Sequence, residues 1–199
     1  MKKLVILLVL LFGISFMASA QGFYFDVGLG FGKAWTKNDG NDVAKYFKDI
    51  GVDFSEIGVD FGLKAGYGPI AGIPIYIVGE IAGIGHRLTD KDNKYIQYNS
   101  FLFGPGVLFY PIPLLQLGSS FGYSTIANTT DVPGWSMVDG KGGFAWNVSA
   151  AVDLGQKNHG LLLGLKYFYA KNTVKVYNTD EKASMFGIFV KYAYRHKKH

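Results

Sequence analysis

Residues 23–31 alternate without a break: Phe23, Phe25, Val27, Leu29 and Phe31 fall on odd positions, Tyr24, Asp26, Gly28 and Gly30 on even ones, and Gly32 continues the second series. Successive side chains of a strand point to opposite faces, so one face is a continuous apolar stripe and the other is nearly bare, with one carboxylate. A soluble strand that buries one face puts Ser, Thr, Lys or Glu on its wet side. A face of glycines around an acid suits instead a strand whose apolar side meets lipid and whose other side lines the narrow interior of a small barrel. Such a strand needs about seven more like it to close the barrel.

The alternation recurs at residues 59–67, 75–88, 95–110, 115–125, 144–154, 161–170 and 185–194. Long polar connections at residues 36–57, 126–142 and 171–182 and a shorter charged one at 89–94 alternate with tight Gly/Pro turns at 68–74, 111–113 and 155–160. Long loops on one side and tight turns on the other predict an all-β fold, an eight-stranded antiparallel up-and-down transmembrane β-barrel with both chain ends on the side of the turns. Two stretches are less regular. The fourth strand changes phase near Asn99 and Ser100, which reads as a bulge and leaves its faces unassigned. Residues 42–50 put Val43, Tyr46 and Phe47 on one side of a short helix, within a segment read as a loop.

Composition agrees: 27 Gly and 16% aromatic residues are high, and 18% charged residues is low. The lack of Cys excludes a disulfide framework, a thiolate metal site, a thiol nucleophile and a lipid-anchored leader. Lys2 and Lys3, an apolar run over residues 4–16 and Ala18-Ser19-Ala20 form a signal-peptide pattern, with cleavage expected after Ala20. The domains are then a signal peptide at 1–20 and a barrel at 21–199. Removing the two leader lysines takes the formal charge from +5 to +3, too little to point to nucleic acid.

Six charges fall on inward positions near the side of the turns: Asp26, Lys64, Glu80, Asp153, Lys166 and Lys191. An isolated charge in a narrow interior is costly, so neighbouring strands should pair Lys64 with Glu80 and Asp26 with Lys191. The network then plugs the bore, against the alternative of a polar pore lining. Aromatic residues gather where the outward stripes end: Trp35, Tyr67, Tyr110, Tyr123, Trp146, Tyr167, Tyr169, Tyr192 and Tyr194 form the expected interfacial girdles, and Lys33 marks the outer boundary. Gly28, Gly30, Gly32 and Lys33 match neither a dinucleotide fingerprint nor a phosphate loop. His86, His159, His196 and His199 lack ligand spacing, so no metal and no cofactor is expected. His86 is expected in the bore near the outer rim, where it could face Asp60, and Ser124 and Ser136 are the hydroxyls an enzyme reading would need.

With these patterns in view, the chain resembles the small eight-stranded outer-membrane proteins of diderm bacteria, the OmpA/OmpX/OmpW-like barrels. The last strand, residues 187–194, looks like the alternating aromatic signal read by the barrel-assembly machinery. The resemblance implies an integral outer-membrane protein, non-enzymatic, whose loops at 36–57 and 126–142 meet host or extracellular ligands in adhesion or envelope integrity. It implies two other functions as alternatives: an OmpW-like channel for small apolar molecules or ions, and a lipid A-modifying barrel enzyme. The deacylase pattern of a His with Ser two residues on is missing, since Leu88 follows His86 at that spacing.

Overall fold

The computed structural model describes residues 22–70, 72–132, 140–155, 158–174 and 179–195; the leader expected at 1–20, Ser136, His196 and His199 lie outside them. Eight long strands close on themselves: β1 (Phe23–Asn38), β3 (Phe54–Tyr67), β4 (Ile75–Asp90), β5 (Tyr95–Ile112), β6 (Leu115–Ile126), β8 (Gly140–Asp153), β9 (His159–Val174) and β10 (Thr179–Arg195). Each pairs antiparallel with the next, and β10 pairs back to β1. Among the described residues, two-residue strands β2 (Asn41–Asp42) and β7 (Thr129–Thr130) and one helix, α1 (Val43–Asp49), lie on the loop side. No helix among the described residues is long and apolar enough to cross a membrane.

The stagger of the ring sets its width. A row of paired residues that starts at Asn38 passes through Glu181, Asn172, Gly143, Ser124, Leu102, Ala82 and Gly62 and returns to β1 at Gly28, ten residues lower (38 minus 28). Ten residues of stagger around eight strands tilts the strands by about 40° and gives a backbone radius of about 8 Å, room for side chains to meet across the axis and little else.

The odd stripe of β1 points outward, with Leu29 71% and Phe31 60% exposed, and the stripes of the other strands continue it into an apolar belt. Among the described residues, no Asp, Glu, Lys or Arg faces outward within this belt, and Lys33 stands exposed at its upper edge. Trp35, Tyr67, Tyr123 and Tyr192 are exposed on the outer face, and Trp146, Tyr167, Tyr169 and Tyr194 half-buried on it. On β5 the expected bulge at Asn99 and Ser100 does not occur. Its pairing with β4 runs straight through, and the register shift lies lower, against β6 between Phe109 and Ile112. The hydropathy pattern misleads because Phe101, Phe103 and Val107 face outward while Tyr98, Leu102 and Leu108 are equally apolar and fill the bore.

Residues 36–57 are more ordered than a loop. β1 continues to Asn38, Asp39 and Gly40 turn the chain with positive φ into β2, and the Asp42 carboxylate accepts the backbone N–H of Lys45 at 2.9 Å to start α1. β1 and β3 pair only as far as Gly32 and Gly58; above that point α1 lies beside the parted strands. A helix this short is held by packing, and Val43 and Phe47 are its buried residues.

Leu29→Lys, at mid-belt, is expected to destabilise the inserted barrel by about 2–4 kcal/mol, and Thr125→Lys, above the belt, by less than about 1 kcal/mol, measured by urea unfolding from lipid vesicles.

Candidate functional site: the bore and its mouth

The bore is filled in tiers. At the lower end the Tyr24 hydroxyl donates to Asp26 Oδ2 at 2.7 Å, and Gln116 Nε2 donates to the hydroxyls of Tyr24 at 2.8 Å and Tyr110 at 2.5 Å. Tyr76 packs between the two rings, 5.4 and 5.7 Å from their centroids. The Arg195 guanidinium lies 5.1 Å over Tyr110 and 2.8 Å from Asp153. Tyr110 therefore does not belong to the girdle. It shares the inward phase of Leu108 on β5 and is 6% exposed inside the bore.

Above this floor is a charged tier. Lys191 Nζ stands 3.0 Å from Asp26 and Lys64 Nζ 3.6 Å from Glu80; Lys166 pairs with Asp60. Asn147 Nδ2 donates to Glu80 at 3.1 Å. All seven residues are buried. Register makes the tier: Asp26, Lys64 and Glu80 are directly opposite one another on β1, β3 and β4, so acid, base and acid alternate along one row. The bare face of β1 provides the room. Gly28 faces Lys191 and Gly30 faces Asp60, and a Cβ on either would run into those side chains.

Asp153 and Lys166, expected in the network, do not meet; Arg195 takes the first and Asp60 the second. Both partners were visible in the sequence. Asp60 shares the even phase of Lys64 on β3, and Arg195 the odd phase of Lys191 on β10.

An apolar tier follows, with Ile84, Leu102, Phe168 and Met185 meeting across the axis. Then comes a polar one. His86, 1% exposed, sets Nδ1 3.0 Å from Thr36 Oγ1 and Nε2 3.8 Å from Glu56 Oε2. The carboxylate beside His86 is thus Glu56, which also holds Lys33 at 2.5 Å and Lys48 at 3.3 Å and so ties β1 and α1 to β3. Hydroxyl, imidazole and carboxylate in that order resemble an activated nucleophile, with Thr36 buried at 1% exposure. Ser124 is likewise buried, with no exposed surface. Across the bore Glu181, 1% exposed, accepts from Asn128 Nδ2 at 2.8 Å. Glu181 lies above Phe186, the first outward apolar residue of β10, and hence above the belt; burial pushes its pKa up to about 7.

At the mouth, Val43 and Phe47 of α1 pack on Leu88, Ile96 and Tyr98, with Phe54 and Val132 against the cluster. Beside them is a cavity of about 250 Å³, walled mainly by Phe47, Ile50, Val52, Phe54, Leu88 and Ile96, with Asp90 and Lys94 at its edge. Among the described residues no group of three or more His, Asp or Glu is arranged to hold a metal ion.

Asp60→Asn leaves Lys166 buried and unpaired, and is expected to cost about 3–5 kcal/mol in urea unfolding; Asp60→Leu with Lys166→Met recovers most of that loss. For Glu181 the folded pKa lies above the ordinary 4.5, so folding binds a proton between pH 4.5 and 7. Its contribution is then flat below pH 4.5, falls by about 3 kcal/mol as the pH rises to 7, and is flat above. Glu181→Gln is expected to remove that part of the pH dependence of the urea midpoint.

The chain is similar to three solved outer-membrane or surface proteins. Ail, the attachment invasion locus protein of Yersinia pestis, in complex with the heparin analogue sucrose octasulfate, matches with a TM-score of 0.48 and 11% identity over 85% of this chain and 97% of that one. Neisserial surface protein A matches with a TM-score of 0.48 and 14% identity over 85% and 95%. The outer membrane protein OprG from Pseudomonas aeruginosa matches with a TM-score of 0.46 and 10% identity over 90% and 97%. No protein-family model and no curated protein matches the chain.

Proposed function

We propose that the protein is an integral outer-membrane surface barrel of a diderm bacterium with a bore closed to solutes. Its function lies outside the membrane, in loops at residues 36–57 and 126–142 that act in adhesion or in envelope integrity. The observation that carries this reading is the filled bore: a floor of Tyr24, Tyr76 and Tyr110, three ion pairs and an apolar tier stand one above another inside a ring of about 8 Å radius. A closed bore gives the fold no conduction path, and the ordered mouth offers a surface that the membrane-spanning part does not need. The alternating aromatic end of β10 supports delivery by the barrel-assembly machinery.

In planar bilayers the purified barrel is expected to give no steady conductance steps. Steady openings whose ion selectivity shifts in Lys64→Gln or Glu80→Gln would sink the closed-bore reading. A channel for small apolar molecules draws support from the cavity beside α1, and uptake of a small apolar dye by proteoliposomes tests it. The charged tier below that cavity opposes passage, so binding without uptake is the expected result.

A further inference from the structure

Just above the apolar belt, three strands place lysines side by side on the outer face. Lys37 on β1 is directly opposite Lys182 on β10, and Lys182 directly opposite Lys171 on β9. Residues so paired share a face with Cβ atoms about 5 Å apart, and like charges in that arrangement destabilise a sheet. Asp180 reaches Lys171 at 2.7 Å, and among the described residues no carboxylate forms an ion pair with Lys37 or Lys182. The row continues past Lys37 to Asp42 on β2, so it holds three lysines against two carboxylates, Asp42 and Asp180, and Lys182 is the member that faces a lysine on both sides.

The rows beneath it change character. Directly below stand Trp35, Ser184 and Tyr169, again in register on the same three strands. Two rings suited to the headgroup boundary flank a small side chain, which leaves a notch between them. Below the notch a shallow groove of about 290 Å³ runs over Val148, Ala150, Leu165, Tyr167 and Phe186. From top to bottom the face thus offers a cluster of cations, an interfacial gap and an apolar trough, which is the order of charge, interface and chain in a membrane lipid. Among the described residues, the outward ends of the same strands at the turn side carry Phe23, Tyr194, Leu161 and His159, with no Lys or Arg.

We propose that the outer face of β1, β10, β9 and β8 binds one phosphate-bearing anionic lipid of the outer leaflet, its headgroup held by Lys37, Lys182 and Lys171 on the first three strands and an acyl chain lying in the groove over β9 and β8. The proposal rests on the outer-membrane orientation proposed above. The lipid supplies a negative charge beside Lys182, which has a lysine directly opposite it on either neighbouring strand.

The probe is phosphatidylglycerol. The barrel, refolded without its leader, is placed in phosphatidylcholine nanodiscs containing a minor fraction of phosphatidylglycerol, and the lipids it retains are counted by native mass spectrometry. The expected result is one phosphatidylglycerol kept in preference to phosphatidylcholine, with about a hundredfold weaker retention in the Lys37→Gln, Lys171→Gln, Lys182→Gln triple variant and unchanged retention in Lys91→Gln, Lys94→Gln. In pure phosphatidylcholine, Lys182→Gln alone is expected to raise the urea midpoint, because it relieves the row; the gain disappears when phosphatidylglycerol is present. Retention by the triple variant equal to wild type, or an equal loss in the Lys91, Lys94 control, overturns the lipid site. A chain that does not enter the nanodisc at all overturns the membrane reading as well, so the two failures are told apart.

Discussion

A ring of eight strands staggered by ten residues encloses a space too narrow to hold bulk water around ions and too wide to close on backbone alone. Everything inside must meet something else inside. This constraint accounts for the pairing of Asp26 with Lys191, Lys64 with Glu80 and Asp60 with Lys166: each charge is out of water, and only an opposite charge on another strand makes it tolerable. It accounts for the glycines too. A long lysine lies across the bore only where the strand it crosses has no side chain of its own, so Gly28 and Lys191 form one solution to one packing problem.

The outer face obeys a simpler rule, and for that reason it was the more legible in the sequence. Lipid asks only for apolar residues at every second position, and the β1 stripe from Phe23 to Phe31 states that rule in nine residues. The interior was legible where it is charged, because a carboxylate or ammonium reveals which face is inside; Glu80 oriented its strand in this way. It was obscure where it is apolar. β5 puts Leu102 and Leu108 inward and Phe103 and Val107 outward, so neither face stands out and a bulge was expected where none occurs. Tyr110 reads as a girdle residue for the same reason. Its composition suits either face, and only the continuous phase of β5 decides.

Partner choice inside the bore was harder to read than facing. Neighbours on adjacent strands follow from register once the turns are counted, as with Lys64 and Glu80. Lys166 and Asp60 sit on strands that are not neighbours and meet across the axis. No local pattern encodes such a contact, because it depends on the curvature of the whole ring. The contact between His86 and Glu56 was hidden differently, since Glu56 lies in a segment read as loop that instead begins β3.

The parting of β1 from β3 above Gly32 and Gly58 has a consequence for how freely the exposed end can vary. The helix that fills the gap contributes Val43 and Phe47 to a small core completed by Leu88 of β4 and Ile96 and Tyr98 of β5, separate from the clusters that fill the bore. Its solvent-facing positions, Tyr46 and Lys45 among them, are free of the pairing demands that fix Asp26 or Lys64. The protein is in this sense two materials joined end to end: a cylinder that admits almost no rewording, and a crown whose outward positions can be rewritten while Val43, Phe47 and Lys48 keep it fastened to what it stands on.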